Sequence, residues 1–273
     1  MMNATIPPRI IQTAKHRELP LKERAFIANV RLLNSDFEWR FFTDADVERF
    51  IDEEFPQHRS VFDSFIYPIQ RFDFFRYLAV YRLGGFYLDL DVLLASGLGS
   101  LRQYGCVFPF EGLTLSRMLR GYGMDWEIGN YAFGAAAGHP FLEAVIENCV
   151  RAQRDSSWVA PMMRGAPALL RSEYQVLYST GPGLISRTLA EHPALATMVT
   201  VLFPADVCDP QSWNRFGEFG IHAMSGTWRA PTSYVRKRLA QRWEEWAIKR
   251  SIRQGRRLGA TRTVVTAAAS GVR

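Results

Sequence analysis

Asp89 and Asp91 are separated by one residue within an apolar run, FYLDLDVLL, that directly follows Gly84 and Gly85. The run predicts a β-strand, in which side chains two positions apart project to the same face, so the two carboxylates would lie side by side. Like charges this close need a cation between them, and Mg²⁺ or Mn²⁺ is the hard cation that binds carboxylates together with substrate phosphates. The alternative is a solvated aspartate pair at a strand end, but the apolar surroundings favour a metal site.

Asp73 and Arg76 lie three residues apart in the segment before the glycines, so on a helix they share one face. An exposed intrahelical ion pair is the simpler interpretation. However, Phe72, Phe74 and Phe75 make this segment apolar around most of its circumference. A helix of that kind is buried on most sides, and a buried charged pair needs specific polar partners. Asp73 and Arg76 are therefore candidate site residues.

His222 stands beside a glycine-containing turn and a tryptophan, in the run HAMSGTW that ends at Trp228. A single histidine is more often structural than a ligand. Imidazole nitrogen is nevertheless a common metal ligand, and the context of this histidine raises that alternative. Metal ligation and a structural role are left as equal alternatives for His222.

The elements that would position these residues alternate between strand and helix at the start of the chain. Residues 9–13 and 37–42 predict strands, and apolar residues at helical spacing predict a helix over 20–33 between them. This order is typical of an α/β domain. Thr43 offers an N-cap for a second helix, and Gly84 ends the next long helix. Further strands are predicted at 106–111, 131–138, 200–207 and 221–228, and further helices at 140–151 and 183–189.

The composition is that of a folded protein without a disulfide framework. Of the 273 residues, 48% are hydrophobic and 22% charged, which excludes a mostly disordered chain. The three cysteines, Cys106, Cys149 and Cys208, are widely spaced and form no disulfide or metal-binding pattern. No apolar run reaches the roughly 18 residues of a membrane-spanning helix. We therefore expect a cytoplasmic protein, soluble or peripheral on the inner face of the cell membrane.

The basic charge of the chain is concentrated at its C-terminal end. The total net charge is +6, yet residues 236–273 contain eleven Lys or Arg against two Glu, a net charge of +9, so the remainder carries −3. We predict one domain over 1–235 and a basic amphipathic helix with a disordered tail over 236–273. The tryptophans and cations of this helix fit either packing on the domain or contact with an anionic membrane surface. No nucleic-acid partner is expected, because the domain is acidic and has no recognisable nucleic-acid-binding module.

The segment 71–91, RFDFFRYLAVYRLGGFYLDLD, resembles the signature DxxRYxxLxxxGGxYxDxD of glycosyltransferases whose sugar-binding region contains a DxD motif. This family, which is glycosyltransferase family 32-like, includes yeast mannosyltransferases, bacterial capsular-polysaccharide transferases and, more distantly, clostridial toxin glucosyltransferases. Weaker similarity covers most of the remaining domain. It includes the opening strand IPPRIIQTA, the segment from Asn130 through AFGAAAGHPF, the turn TGPG at 180–183 and the element HAMSGTW.

The resemblance implies a GT-A (Rossmann-like) nucleotide-sugar-binding fold and a retaining reaction that depends on Mn²⁺ or Mg²⁺. The donor would be a UDP- or GDP-linked hexose or N-acetylhexosamine. The acceptor would be a saccharide or a lipid-linked glycan, in bacterial surface polysaccharide synthesis. The resemblance places Asp73 and Arg76 on the donor sugar and Asp89 on the ribose or metal. The residues that it implies as catalytic are Asp73, Arg76, Asp89 and Asp91, and the metal ligands are Asp89, Asp91 and His222. The residues that it implies as donor-binding are Ile10, Gln12, Thr13, Asp73, Arg76, Gly85, Tyr87, Asn130, Ser225 and Trp228.

Two other functions remain open from the sequence. A Mg²⁺-dependent phosphohydrolase also carries a DxD at a strand end and uses the first aspartate as nucleophile. Such enzymes have a Gly-Thr turn and a downstream lysine, whereas Val92 follows Asp91 here and no lysine lies between Lys22 and Lys237. The second alternative is a non-catalytic carbohydrate-binding or scaffold protein of the same fold.

Overall fold

The computed structural model describes residues 5–164, 166–223 and 234–258 of the chain. Its strands are β1 (Arg9–Thr13), β2 (Glu38–Phe42), β3 (Gly85–Leu88), β4 (Val92–Leu94), β5 (Cys106–Leu113), β6 (Trp126–Ile128), β7 (Ala132–Ala135), β8 (Thr200–Leu202), β9 (Arg215–Phe216) and β10 (Gly220–His222). Its helices are α1 (Leu21–Leu33), α2 (Asp44–Glu54), α3 (Arg59–Ser64), α4 (Pro68–Leu83), α5 (Arg117–Gly121), α6 (Pro140–Arg154), α7 (Ser156–Met163), α8 (Arg171–Ser179), α9 (Pro182–Glu191), α10 (Pro193–Ala196) and α11 (Tyr234–Leu258).

The N-terminal strand, helix and strand form as the sequence predicts. Helix α1 turns Ile27 and Val30 towards the interior, and β2 then returns parallel to β1 over the whole length of both strands. The predicted cap of α2 is a capping box: the Thr43 hydroxyl accepts the backbone N–H of Asp46, and the Asp46 carboxylate accepts the backbone N–H of Thr43.

The main sheet has the strand order β2-β1-β3-β7-β5-β6, and β8 also pairs with β5. Strand β1 is parallel to β2 and β3, β7 is antiparallel to both of its neighbours, and β8 is parallel to β5. This mixed sheet, with helices between its parallel strands, confirms the α/β class and agrees with the GT-A fold that the resemblance implies. Because β1, β3 and β5 point the same way, their C-terminal ends meet the start of β7 at one edge of the sheet.

Apolar side chains cover both faces of the main sheet. Successive strand residues alternate between the faces, so Ile11 and Tyr87 belong to one buried cluster while Ile10 and Phe86 belong to the other. Helices α2, α4, α6 and α9 cover the first face. Helix α1 and a small sheet, with the order β4-β10-β9, cover the second. The C-terminal ends of β1, β3 and β5 therefore lie between the two hydrophobic clusters.

The expected continuous strand through the DxD motif is wrong. Strand β3 ends at Leu88, and residues 89–91 form a turn in which the Val92 N–H donates to the Asp89 C=O over 3.1 Å. Asp89 makes the last bond to the main sheet, from its N–H to the Tyr131 C=O, and β4 then pairs with β10 in the small sheet. The two carboxylates therefore lie on a turn between two sheets rather than on one face of a strand.

Helix α11 occupies the segment in which the sequence predicts a basic helix. Ala247 and Ser251 are buried against the rest of the chain, and Trp243 packs edge-on against Tyr174, with ring centroids 5.5 Å apart. Trp246 points outward. One face of α11 thus packs on the rest of the protein, as one of the two interpretations expected. The division of the chain into a domain over 1–235 and a tail over 236–273 stays a prediction.

Some predicted features lie outside the described residues. These are the predicted disordered tail beyond residue 258 and the part of the strand prediction that covers 224–228. Within the described ranges, no helix combines the length and the apolar character that crossing a membrane requires.

Candidate functional site

Helix α4 carries Asp73 and Arg76 to the edge of the sheet, and a glycine pair makes this possible. The helix ends at Gly84, whose φ of +64° is a left-handed conformation that favours glycine. A Cβ atom there would lie 2.7 Å from the Pro7 side chain and 2.9 Å from the backbone nitrogen of Ala137. The chain can therefore pass directly from α4 into β3, which brings the helix beside the residues that follow β3.

Asp73 and Arg76 form the centre of a fully partnered polar network. Each is only 4% exposed. Arg76 Nη2 lies 3.2 Å from Asp73 Oδ1, while Nη1 donates to the Asn130 C=O over 2.8 Å and lies 3.3 Å from Asp89 Oδ1. Asp73 also accepts the Asn130 amide at Oδ1 over 3.0 Å and the Thr180 hydroxyl at Oδ2 over 2.9 Å. The predicted buried pair has specific partners, and Arg76 links the Asp73 carboxylate to the first aspartate of the DxD motif.

Asp89, Asp91 and His222 meet at the turn after β3. Strand β10 pairs antiparallel with β4 and places His222 opposite Val92, next to that turn. His222 Nε2 lies 3.1 Å from Asp91 Oδ1. One nitrogen or oxygen atom from each of the three side chains lies within 4.8 Å of the other two. All three residues are partly exposed, so a ligand can reach them. We call Asp89, Asp91 and His222 the DxD–His cluster.

The DxD–His cluster has the donor chemistry of a divalent cation site. Two carboxylates suit Mg²⁺ or Mn²⁺, and an imidazole nitrogen is a ligand that Mn²⁺ also accepts. In this structure Nε2 of His222 faces Asp91, as two ligands of one ion would. Three protein ligands leave coordination positions for substrate phosphates. The residues present therefore fit the metal that the resemblance implies.

Burial and charge shift the pKa values of these groups. Burial raises the pKa of Asp73 and of Asp89, against the opposing charge of Arg76. Burial alone would lower the pKa of Arg76, but the two carboxylates outweigh it and hold that pKa above its usual value. Burial also lowers the pKa of His222, yet the hydrogen bond to Asp91 and the nearby carboxylates raise it overall. A divalent cation would replace the proton of His222 and favour the ionised carboxylates.

Several expected donor-binding residues lie beside the cluster, at the ends of β1 and β3. The Thr13 hydroxyl is 3.1 Å from the Tyr87 hydroxyl, and the Arg76 guanidinium lies over the Tyr87 ring at 4.7 Å from its centroid. Gln12 is fully buried and accepts the indole N–H of Trp39 over 2.9 Å. Its amide nitrogen has no hydrogen-bond partner among the described residues. The Thr13 and Tyr87 hydroxyls and the Gln12 amide thus lie on the β1 side of the cluster.

Other expected donor-binding residues lie elsewhere. The Ile10 side chain is buried in the core on the second face of the sheet. Gly85 is the first residue of β3, at the opposite end of that strand from Asp89, and a Cβ there would lie 2.7 Å from a backbone oxygen of β1. The structure gives both residues a packing role. Ser225 and Trp228 lie outside the described residues.

The structure also reveals polar residues that the sequence reasoning missed. Tyr77 on α4 donates its hydroxyl to the Thr180 C=O over 2.7 Å. The Tyr131 ring stacks on the His222 imidazole, with centroids 4.4 Å apart and planes 13° apart. Near the end of β5, one carboxylate oxygen of Glu111 is buried without a hydrogen-bond partner among the described residues. Its position at the end of a predicted strand is the one sequence signal that points to Glu111.

Comparison with known proteins supports the motif. Residues 20–107 match the family described as glycosyltransferase sugar-binding region containing DXD motif. Inositol phosphoceramide mannosyltransferase 3 of Schizosaccharomyces pombe is 33% identical over 184 residues, which cover 67% of this chain and 45% of that protein. Mannosyl phosphorylinositol ceramide synthase SUR1 of Saccharomyces cerevisiae is 26% identical over 181 residues, which cover 66% of this chain and 41% of that protein.

Solved structures give weaker likenesses. PaToxG glycosyltransferase superimposes with a TM-score of 0.48 at 15% identity, over 71% of this chain and 74% of that one. The UDP-bound glycosyltransferase domain of the YGT toxin superimposes with a TM-score of 0.49 at 9% identity, over 73% of this chain and 80% of that one.

Asp73, Arg76, Asp89 and Asp91 all fall in the matched segment. Through residues 20–107, the chain matches the glycosyltransferase sugar-binding region that contains a DXD motif. The chain spans about half the length of the curated relatives that it matches, 45% of one and 53% of another.

Proposed function

We propose that this chain is a metal-dependent glycosyltransferase that moves a hexose from a nucleotide sugar to a hydroxyl group of a lipid-borne acceptor. The observation that carries this proposal is the continuity of the polar groups at one sheet edge. They run from Asp73 through Arg76 to Asp89 and the rest of the DxD–His cluster. A nucleotide sugar presents sugar hydroxyls next to a diphosphate, so both of its parts find partners along this series.

Each group of residues at the site has a different role in the reaction. As the bond between the anomeric carbon and the diphosphate breaks, positive charge develops on the carbon and negative charge on the diphosphate. Asp89, Asp91 and His222 would hold Mn²⁺ or Mg²⁺, and a bound cation supplies the charge that stabilises the leaving diphosphate. Asp73 Oδ2, which accepts the Thr180 hydroxyl, would use its other lone pair for one hydroxyl of the donor sugar. Arg76 keeps the Asp73 and Asp89 carboxylates in a fixed relation to each other.

Mannose is our first candidate for the transferred sugar, and a lipid that carries inositol phosphate is our first candidate for the acceptor. The curated relatives described above are named as mannosyltransferases that act on inositol phosphoceramide or make its mannosyl derivative. Neither of those names supports the bacterial polysaccharide acceptor that the resemblance implied. The base of the donor and retention of the anomeric configuration stay predictions.

A screen of nucleotide sugars tests the proposal. The full chain is incubated with GDP-mannose, UDP-glucose, UDP-galactose or UDP-N-acetylglucosamine, with and without Mn²⁺ or Mg²⁺, and thermal stability and hydrolysis are measured. We expect one sugar nucleotide to stabilise the protein and to be hydrolysed only with the ion. Asp91→Asn should abolish the response that depends on the ion. Asp36→Asn, at an exposed aspartate outside the site, should retain that response.

The same screen distinguishes the alternatives. If the wild type responds to none of the four nucleotide sugars, the proposal is overturned and a non-catalytic carbohydrate-binding or scaffold protein is favoured. Mg²⁺-dependent release of phosphate from p-nitrophenyl phosphate would instead favour the phosphohydrolase.

We also propose that the outward face of α11 rests on an anionic membrane surface. Leu239 and Trp246 are 52% and 51% exposed, and the Arg250 guanidinium lies 5.2 Å from the Trp246 ring centroid. Exposed apolar and aromatic side chains among cations are typical of helices at lipid interfaces. The cytoplasmic location expected from the sequence stays a prediction.

Co-sedimentation with vesicles tests the membrane proposal. Wild type should sediment with phosphatidylserine-containing vesicles and not with pure phosphatidylcholine. A Leu239→Ser/Trp246→Ser variant, which leaves the packed Trp243 in place, should lose most of this binding. Equal sedimentation of variant and wild type would contradict the proposal.

A further inference from the structure

Strand β5 contains a β-bulge at Glu111. Phe110 pairs with Ile128 and Gly112 pairs with Glu127. Glu111 is therefore an additional residue of β5 that has no partner residue on β6. A bulge redirects the side chain of its additional residue and is common beside active sites. This one lies at the same sheet edge as the DxD–His cluster.

The backbone next to Glu111 makes room for its carboxylate. A Cβ atom on Gly129 would lie 2.4 Å from Glu111 Oε2 and 2.7 Å from the edge of the Tyr131 ring. The absence of that Cβ lets the carboxylate and the tyrosine ring edge approach the same point. Because the Tyr131 ring stacks on His222 at 4.4 Å, Glu111 Oε2 lies close to the DxD–His cluster.

Polar atoms around this point lack partners. Glu111 Oε2, the Tyr131 hydroxyl and His222 Nδ1 are each buried and have no hydrogen-bond partner among the described residues. Tyr131 is only 3% exposed. Buried polar atoms of native proteins are nearly always satisfied, so three of them together indicate a missing donor or acceptor. The neighbouring Glu127, in contrast, accepts the hydroxyl of Thr114. A ligand that carries a hydroxyl group, or a water molecule, would supply the hydrogen bonds that these three atoms lack.

This group lies on the far side of the cluster from the expected nucleotide contacts. Along the sheet edge the strands follow the order β1, β3, β7, β5. Thr13 ends β1, Asp89 follows β3, Tyr131 precedes β7 and Glu111 is near the end of β5. With strands spaced by about 4.8 Å, the backbone at Glu111 lies two strands, or about 10 Å, from the backbone at Asp89.

We propose that Glu111 binds the attacking hydroxyl group of the acceptor through Oε2. The hydroxyl oxygen forms a bond to the anomeric carbon while the bond from that carbon to the diphosphate oxygen breaks. The electron pair of the broken bond leaves with the nucleoside diphosphate, and the hydroxyl proton passes to the Glu111 carboxylate. In hydrolysis of the donor, water takes the place of the acceptor hydroxyl. The inference rests on the proposed function and adds to it the residue that receives the acceptor.

Two measurements on the full chain test the role of Glu111. Hydrolysis of the four nucleotide sugars with Mn²⁺ reports attack by water, and calorimetric titration with Mn²⁺ and GDP or UDP reports the nucleotide and metal site. In Glu111→Gln, which preserves the shape of the side chain, we expect kcat for hydrolysis to fall about 100-fold. The Kd of the nucleotide–Mn²⁺ complex should remain close to the wild-type value. Glu111→Asp, which withdraws the carboxylate by one methylene group, should give an intermediate kcat.

Glu127→Gln is the matched control, because Glu127 lies on the adjacent strand but already has Thr114 as a partner. It should leave both measurements unchanged. A wild-type kcat in Glu111→Gln overturns the inference. A loss of nucleotide–Mn²⁺ affinity as large as the loss of kcat also overturns it, because Glu111 would then support the metal ligands. If the wild type neither hydrolyses any of the four sugars nor binds GDP or UDP, the proposed function fails, and the inference fails with it.

Discussion

Replacing Arg76 by methionine should leave two carboxylates without the cation that joins them. The Arg76 side chain is buried, and its nitrogens lie 3.2 Å from Asp73 and 3.3 Å from Asp89. At an effective dielectric constant of about 20, each contact is an attraction of roughly 5 kcal/mol, which the desolvation of the charges largely offsets. Removing one partner from a buried pair leaves the other charge uncompensated. We therefore expect Arg76→Met to lower the free energy of unfolding by about 3–5 kcal/mol.

A second substitution separates the contribution of charge from that of packing. In Arg76→Met, Asp73 stays buried with only Asn130 and Thr180 as donors. Asp73→Asn removes that charge, so the double variant should be about 1–3 kcal/mol more stable than Arg76→Met alone. In the wild-type background the same Asp73→Asn substitution should be destabilising, because it removes the carboxylate that faces Arg76. The effect of Asp73→Asn should thus change sign when Arg76 is absent.

Urea unfolding at pH 7, followed by tryptophan fluorescence, gives the four free energies. Arg82→Met is the matched control, because Arg82 is more than half exposed and pairs with Glu54 over 2.6 Å. An exposed pair of this kind contributes only about 0–1 kcal/mol. If Arg76→Met costs no more than Arg82→Met, or if Asp73→Asn destabilises both backgrounds equally, the reasoning about the buried network is refuted.

Three further substitutions test the surroundings of the site. Burial raises the pKa of Glu111 from an ordinary 4.5 to about 7, so between these values the native state holds a proton that the unfolded chain has lost, and stability falls as pH rises. In metal-free buffer, the free energy of unfolding of Glu111→Gln should exceed that of the wild type by about 1–3 kcal/mol at pH 8 and equal it at pH 4. Parallel profiles of unfolding free energy against pH would contradict this prediction. Gly129→Ala places a Cβ 2.4 Å from Glu111 Oε2, so it should lower stability by about 1–3 kcal/mol and also slow sugar nucleotide hydrolysis, whereas unchanged hydrolysis would disprove the placement. Gly84→Ala, at φ +64° and 2.7 Å from Pro7, should lower the urea-unfolding free energy by more than about 2 kcal/mol, and a near-neutral effect would argue against that turn geometry.

The sequence predicts those features that depend on residues close together in the chain. The capping box at Thr43 and the glycine end of α4 at Gly84 follow from local backbone chemistry, and the structure contains both. The burial of Asp73 and Arg76 follows from the apolar residues on all sides of their helix. The family resemblance adds the link between this pair and the DxD motif, which the structure places in one network.

Features that depend on strand pairing between distant segments are not predictable from these patterns. The run from Phe86 to Leu94 has the composition of one strand, but pairing with β10 draws its second half into another sheet and makes a turn of residues 89–91. The same pairing brings His222 to Asp91. The buried position of Glu111 Oε2 beside Tyr131 depends on a bulge opposite β6 and on the missing Cβ of Gly129, neither of which has a local sequence signal.

Calorimetric titration of Mn²⁺ in the presence of GDP or UDP tests the central claim, that Asp89, Asp91 and His222 form one cation site for a nucleotide sugar. The account predicts that the wild type binds Mn²⁺ together with one of the nucleotides. Asp91→Asn and His222→Ala should each weaken this Mn²⁺ binding by at least about tenfold, because each removes a ligand, and the exposed Asp36→Asn should not. Equal Mn²⁺ affinity in wild type, Asp91→Asn and His222→Ala would contradict the account.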